Sequence, residues 1–286
     1  MKAKVLITGG KGQLAKAFSE IFSLKNWDFV SLSKKDLDIS DYVNVREIVS
    51  EYKPDIIINC AAYNNVDGAE DEWRKAILVN GFGVRNLAEV ANKYNSLLVH
   101  FSTDYVFDGL KGKPYTIADI PNPINLYGKS KYLGEKYAFM AKKFFLIRVS
   151  WVFGDGEKNF PYKLIQWARE NQKLRIVSDQ ISSPSYTQDI AEIVYELLKT
   201  EAYGLYHLSN KGFCSRFEWA EFILNEIGWR GKLTPVSIDE FKLKAYRPKF
   251  SALETYPIEE ILEKRVPDWK NATKRFLNRI KIGGFS

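Results

Sequence analysis

The segment Ile124–Phe139, INLYGKSKYLGEKYAF, carries Tyr-x-x-x-Lys twice, as Tyr127 with Lys131 and as Tyr132 with Lys136. On a helix, residues four apart share a face, so each lysine would stand one turn from its tyrosine. A free phenol titrates near ~10, and an ammonium beside it favours the phenolate and draws that value down. A tyrosine tuned in this way can protonate a carbonyl oxygen while the carbonyl carbon is reduced. Tyr132 is turned by about 140° from Tyr127, so the two pairs face different ways and at most one addresses a given site. Tyr127 follows PNPIN at the expected helix start, downstream of STDYVFDG (Ser102–Gly109) at the expected carboxyl end of a strand. Ligands of open parallel sheets bind at those ends. The expected catalytic group is therefore Thr103, Tyr127 and Lys131, with the Thr103 hydroxyl holding the same oxygen. Tyr132 is the expected packing residue. The competing reading is an ordinary amphipathic helix with no chemistry in either pair.

Such a reduction needs a hydride donor, and the start of the chain offers a place for one. VLITGGKGQLAKAF sets Gly9, Gly10 and Gly12 between a β-branched run, Lys4–Ile7, and apolar residues at helical spacing, Leu14, Ala17, Phe18, Ile21 and Phe22. Glycines there let backbone N–H groups approach a pyrophosphate at a helix N-terminus. Ala15 is a third small residue where helix packs on sheet. At the end of the second strand, where an NAD-selective fold places an acid, stand Ser33, Lys34 and Lys35. These suit a 2′-phosphate, so NADPH is favoured and NADH remains possible; the alternative is a solvated turn. Asp38 and Ile39 are placed beside the adenine. NCAAYNNVD (Asn59–Asp67) leaves the third strand through small residues, as a loop passing a cofactor must.

The elements that must position these residues alternate through the first half. DFVSL, DIIIN, LLVHFS and FFLIRVS read as strands, DIIIN apolar throughout as buried parallel strands are. Between them lie expected helices: SDYVNVREIVSEY, capped by Ser40 or Asp41; a second over roughly 81–94; and the segment holding the two tyrosine pairs. This alternation argues an α/β fold with a doubly wound parallel sheet. Beyond Trp151 it loosens. Helices are expected near 162–171, 189–198, 217–227 (with Ser215 and Glu218 as a capping box) and 271–280, with short strands in LRIVS and GLYHLS. The expected organisation is a Rossmann-type nucleotide-binding domain over 1–150 and a smaller C-terminal substrate lobe over 151–286. Segments near 186–205 and 232–240 are expected to return to the first domain.

The totals narrow the function classes. The 286 residues carry a net charge of +7, which suits anionic ligands. The lysines are scattered without interleaved aromatics, so nucleic acid is not an expected partner. No stretch reaches the roughly 20 apolar residues of a membrane span, and the N-terminus lacks the apolar run of a signal peptide; the expected location is the cytoplasm. Cys60 and Cys214 are far apart and read as buried thiols. His100 and His207 have no neighbouring ligand residue, and no metal is expected.

STDYVFDG, YGKSKYLGE, RVSWVFG, NF, DQISSP, GLYHLS and RPKFS, in that order, resemble the dTDP-4-dehydrorhamnose reductase family of the extended short-chain dehydrogenase/reductase superfamily. The resemblance runs from the glycine loop to about residue 275. It implies NADPH-dependent reduction of the C4 keto group of a dTDP-linked 6-deoxy sugar. Thr103, Tyr127 and Lys131 would be the catalytic group, with Lys131 also on the nicotinamide ribose. Gly9, Gly12, Gln13 and Leu14 would meet the pyrophosphate, and Ala61, Ala62 and Tyr63 would run along the cofactor. Val66, Asp104, Tyr105 and Trp151 would line the sugar pocket, and Asn159, Gln180 and Arg247 would hold the nucleotide diphosphate. Each has a plainer alternative: Trp151 as core, Asp104 as a loop brace, Arg247 as surface charge. YNNVD stands where HTAVD or YTKVD is common, which leaves the hexose open. Ala17 stands where some members carry a metal-binding acid used in dimerisation, so no such metal is expected; monomer or homodimer both remain. Competing readings are a nucleotide-sugar epimerase or dehydratase, and a non-catalytic subunit resembling the regulatory subunit of methionine adenosyltransferase.

Overall fold

The structure is a computed structural model and describes residues 3–280. The first half comprises β1 (Lys4–Thr8), α1 (Gln13–Leu24), β2 (Asp28–Ser31), α2 (Tyr42–Tyr52), β3 (Ile56–Asn59), α3 (Gly68–Asp71), α4 (Trp73–Ile77), α5 (Gly83–Tyr94), β4 (Leu97–Thr103), α6 (Leu126–Ala138) and β5 (Phe144–Val149). The second comprises β6 (Val152–Phe153), α7 (Phe160–Glu170), β7 (Lys173–Val177), β8 (Ile181–Ser182), β9 (Ser185–Tyr186), α8 (Thr187–Leu197), β10 (Gly204–His207), β11 (Cys214–Ser215), α9 (Arg216–Glu226), β12 (Lys232–Val236), α10 (Ile258–Leu262) and α11 (Trp269–Arg279).

A six-stranded sheet runs β2-β1-β3-β4-β5-β10, every neighbour parallel. Its central strands are apolar on both faces because both are covered. One face packs α1 and α8 through Phe18, Phe22, Ile190 and Val194. The other packs α2 and α5 through Val45, Val49, Leu87 and Ala91. A separate core gathers the second lobe around Phe153, Trp219 and Phe276, with α7, α9 and α11 contributing.

Two details differ from the sequence reading. The helix expected over 81–94 extends back to Trp73: α4 runs through a π-turn at Leu78–Phe82 into α5. The segment near 232–240 does not return to the large sheet, because β12 pairs with β7 and Leu233 packs in the second-lobe core. The 186–205 segment does meet the first domain: α8 lies on α1, and β10, just beyond, pairs with β5. Of the two candidate caps for α2, Asp41 is the one used, accepting from Val43 N and Asn44 N.

Two glycines decide how closely α6 approaches the sheet edge. A Cβ on Gly128 would stand 2.2 Å from the Tyr105 carbonyl oxygen, and one on Gly134 would stand 2.1 Å from that of Asn80. Only hydrogen fits at either contact. The far end of the same helix is anchored by a buried ion pair: Arg148 on β5 grips Glu135 through two hydrogen bonds of 2.9 and 2.7 Å.

Candidate active site

The turn after β1 forms one wall of a cleft of about 230 Å³. Gly9 has φ +67, and a Cβ there would come within 2.8 Å of Ala61 N. Glycine therefore permits both the left-handed backbone and the close approach of the loop after β3. Gly12 precedes α1 without any side-chain cap, so the first-turn N–H groups keep their capacity for an anionic ligand. Of the residues expected at a cofactor, Gly9, Gly12, Lys34, Asp38, Ile39, Ala61 and Ala62 all line this cleft. Leu37, Cys60, Asn64 and Val79 join them. The chemistry of this wall, bare N–H groups at one end and a lysine at the other, fits a dinucleotide with a phosphorylated ribose.

The side chains of four expected cofactor residues are engaged elsewhere. The Ser33 hydroxyl is bonded to Asp36 at 2.6 Å. Gln13 reaches across to the second lobe, donating to Val152 O at 3.0 Å and accepting from Asn159 at 3.2 Å. Leu14 packs against the core under the sheet. The Tyr63 hydroxyl donates to Glu72 at 2.7 Å, while its backbone is held at both N–H and C=O by the Asn80 amide.

Beyond the cleft, α6 begins at Asn125, whose side chain accepts from Gly128 N and donates to Tyr246 O, each at 2.7 Å. This start presents Tyr127, nearly buried, with its ring 6.0 Å from that of Tyr105 in an edge-on arrangement. Burial pushes the Tyr127 phenol upward, and hydrogen bonding with Thr103 works against that rise. Lys131 is 3% exposed and donates to Phe101 O at 2.6 Å. Burial lowers its ammonium to about 8, opposed by the charge of Glu135. The expected lowering of Tyr127 by Lys131 is thus not what this arrangement produces: the lysine is turned onto the β4 backbone, and desolvation governs both groups. Tyr132 faces away, packing beside Val106, Phe107, Tyr115 and Leu253 with Lys136 over its ring at 4.8 Å.

Asp104 is buried among hydroxyls. It accepts from Ser251 at 2.6 Å, from Ser182 at 3.1 Å and from Thr103 at 3.1 Å. Burial outweighs these bonds and lifts its carboxyl to about 6. Val66 and Tyr105 pack in one small cluster with Tyr127. Trp151, at the end of β5, holds φ 41, an uncommon conformation for a bulky residue and one that marks strain beside a site. Its ring stacks on Trp219 at 5.9 Å.

The three residues expected at the diphosphate separate. Asn159 is engaged within its own loop, donating to Gly154 O and Gly156 O at 2.7 Å each and capping α7. Arg247 is matched to Asp67 by bonds of 3.1 and 2.6 Å. Gln180 is 7% exposed and its side-chain amide nitrogen has no partner.

A family model for the RmlD substrate binding domain matches residues 3–282. The chain belongs to that family. Curated relatives agree with this RmlD assignment along the whole length. The spore coat polysaccharide biosynthesis protein SpsK of Bacillus subtilis is 40% identical and the match covers 96% of each chain. A dTDP-4-dehydrorhamnose reductase of Aggregatibacter actinomycetemcomitans is 35% identical, over 95% of this chain and 97% of its own. Among solved structures, a dTDP-4-dehydrorhamnose reductase of Bacillus anthracis in complex with NADP superposes with TM-score 0.94 at 38% identity, covering 98% of this chain and all of the other. A UDP-glucose 4-epimerase of Thermus thermophilus shares the fold at 17% identity and TM-score 0.82.

Within this RmlD-family chain, sequence reasoning passed over two residues that the structure brings forward. Asn80 sits in the π-turn, and its amide joins the backbone of Tyr63 to Ser130 on α6, so one side chain ties the loop after β3 to α6. Arg216 opens α9 with its guanidinium 3.5 Å from the centre of the Trp151 ring. A cation at a helix N-terminus opposes the helix dipole, which was the available signal.

Proposed function

We propose that this protein reduces the C4 keto group of dTDP-4-dehydrorhamnose to give dTDP-L-rhamnose, with NADPH as the electron donor. The observation that carries the reading is the hydrogen bond between Tyr127 and Thr103 at the carboxyl end of β4, with Lys131 buried one turn further along α6. Membership of the RmlD family and the NADP-bound relative support it.

Gly9, Gly12, Ala61 and Ala62 would hold the cofactor in the cleft, where its reduced nicotinamide would supply a hydride to the carbonyl carbon. Tyr127 gives its phenolic proton to the oxygen that becomes the alkoxide. Its high proton affinity in the buried state keeps the phenol protonated through the neutral range, as a proton donor requires. Thr103 would hold the oxygen through its hydroxyl once that proton turns from Asp104, to which it is donated here, and Lys131, leaving Phe101 O, would steady the phenolate as it forms. Lys34, which lines the cleft, would meet the ribose phosphate. Val66, Tyr105 and Trp151 shape the sugar pocket, Gln180 reaches the nucleotide end, and Asp104 orients Thr103 from below.

The test is NADPH oxidation with dTDP-4-dehydrorhamnose by wild type, Tyr127→Phe and Tyr132→Phe. Loss of roughly 10²- to 10⁴-fold in kcat is expected for Tyr127→Phe and near-normal turnover for Tyr132→Phe. Wild type that binds NADPH but does not oxidise it with this sugar would move the reading to another keto sugar or to a binding subunit.

A further inference from the structure

Among the described residues, the Arg216 guanidinium is held by rings and not by a hydrogen-bonded carboxylate. It lies over the rings of Trp151 at 3.5 Å, Phe160 at 4.9 Å and Trp219 at 5.5 Å. Among the described residues no carboxylate, carbonyl or hydroxyl is bonded to its side chain, although Asp104 and Tyr105 are near enough to influence its charge. Stacking orients a guanidinium but leaves its in-plane N–H groups free, and a desolvated charge left so is costly unless an acceptor arrives. Arg247, the other arginine near Tyr105, is already neutralised by Asp67.

A second donor stands beside it without an acceptor. The backbone N–H of Arg216 donates to Gln180 O at 3.1 Å, which fixes the two residues together. The Gln180 side chain is buried, and its amide nitrogen is unpartnered. An arginine, which can only donate, beside a glutamine whose amide N–H is unpartnered defines a subsite for an acceptor-rich, negatively charged group. We propose that Arg216, with Gln180 beside it, is the residue that recognises the diphosphate of the sugar nucleotide, and that Arg247 instead holds the Asp67 loop. This rests on the reading of the pocket as a nucleotide-sugar site, whose ligand carries no other ionised group.

The experiment is calorimetric titration of wild type, Arg216→Gln and Arg216→Lys with dTDP, thymidine and NADPH. dTDP carries the diphosphate without a sugar, and thymidine carries neither. Arg216→Gln is expected to weaken dTDP by about 10- to 100-fold while leaving thymidine and NADPH unchanged. Arg216→Lys keeps the charge but not the planar fork, so it should lie between. Equal dTDP affinity in all three proteins overturns the proposal. So does a parallel loss of NADPH affinity, which would mean that Arg216 only supports the fold. Wild type that binds NADPH but neither dTDP nor UDP overturns the nucleotide-sugar reading itself, and the assignment of Arg216 with it.

Discussion

Gly128 on α6 lies directly against the backbone of Tyr105: a Cβ would stand 2.2 Å from that carbonyl oxygen. The helix that carries Tyr127 is therefore seated on the turn that follows Thr103. Gly128→Ala should lift α6 away from this turn, at a stability cost of about 1–3 kcal/mol. Turnover should fall more than NADPH affinity. Urea unfolding alongside NADPH titration checks this, and unchanged kcat would show that the close contact does not set the site.

Lys34 lines the cofactor cleft while pairing loosely with Asp38 at 3.4 Å. If it meets the ribose phosphate, Lys34→Ala should raise KM for NADPH by roughly 5- to 20-fold and leave KM for NADH nearly unchanged. Equal changes for both cofactors would remove Lys34 from phosphate recognition.

The Lys131 ammonium, lowered to about 8 by burial, loses its proton in an accessible range. Turnover that needs the charged form should decline as pH rises through that value. Lys131→Met should reduce kcat by roughly 100-fold and abolish that alkaline limb. A limb with the same midpoint in Lys131→Met would assign it to another group.

Asp104 has the opposite sign. Its carboxyl is raised from 3.8 to about 6 in the folded protein, so the folded state binds the proton more tightly than the unfolded chain. The associated stability is full below the unfolded value and is lost as pH rises through about 6. Asp104→Asn has no such loss, so the stability difference, variant minus wild type, should grow between about pH 5 and about pH 7.5. Urea midpoints at the two pH values test this; a constant difference would show that Asp104 is ionised throughout.

The parallel sheet and the cofactor cleft were legible in the sequence because their determinants are local. Gly9 and Gly12 stand between a strand and a helix, and Ile56–Asn59 is apolar enough to be buried on both faces. That Tyr127 and Tyr132 face different ways also followed from helix phase. What was not legible depends on partners far away in the chain. Nothing near Arg247 foretells its match to Asp67, and nothing near Asn159 foretells that its amide closes its own loop and meets Gln13. Lys131 misled for a related reason: spacing places it one turn from Tyr127, but only the folded structure shows its amine turned onto Phe101 O. The pairing of β12 with β7 was missed because a short, half-exposed strand carries no mark of which sheet it joins.

The position of β10 has a bearing on how this molecule is made. Every residue that lines the cofactor cleft lies upstream of Asn80, yet the sheet that carries it is finished by Gly204–His207. A nascent chain released only as far as Ser150 would present β5 with a bare hydrogen-bonding edge and α1 without the helix that covers it. The nucleotide half thus waits on synthesis of its neighbour. The seam at which evolution or an engineer can exchange one substrate lobe for another does not run at Trp151, but around a strand and a helix that must stay behind.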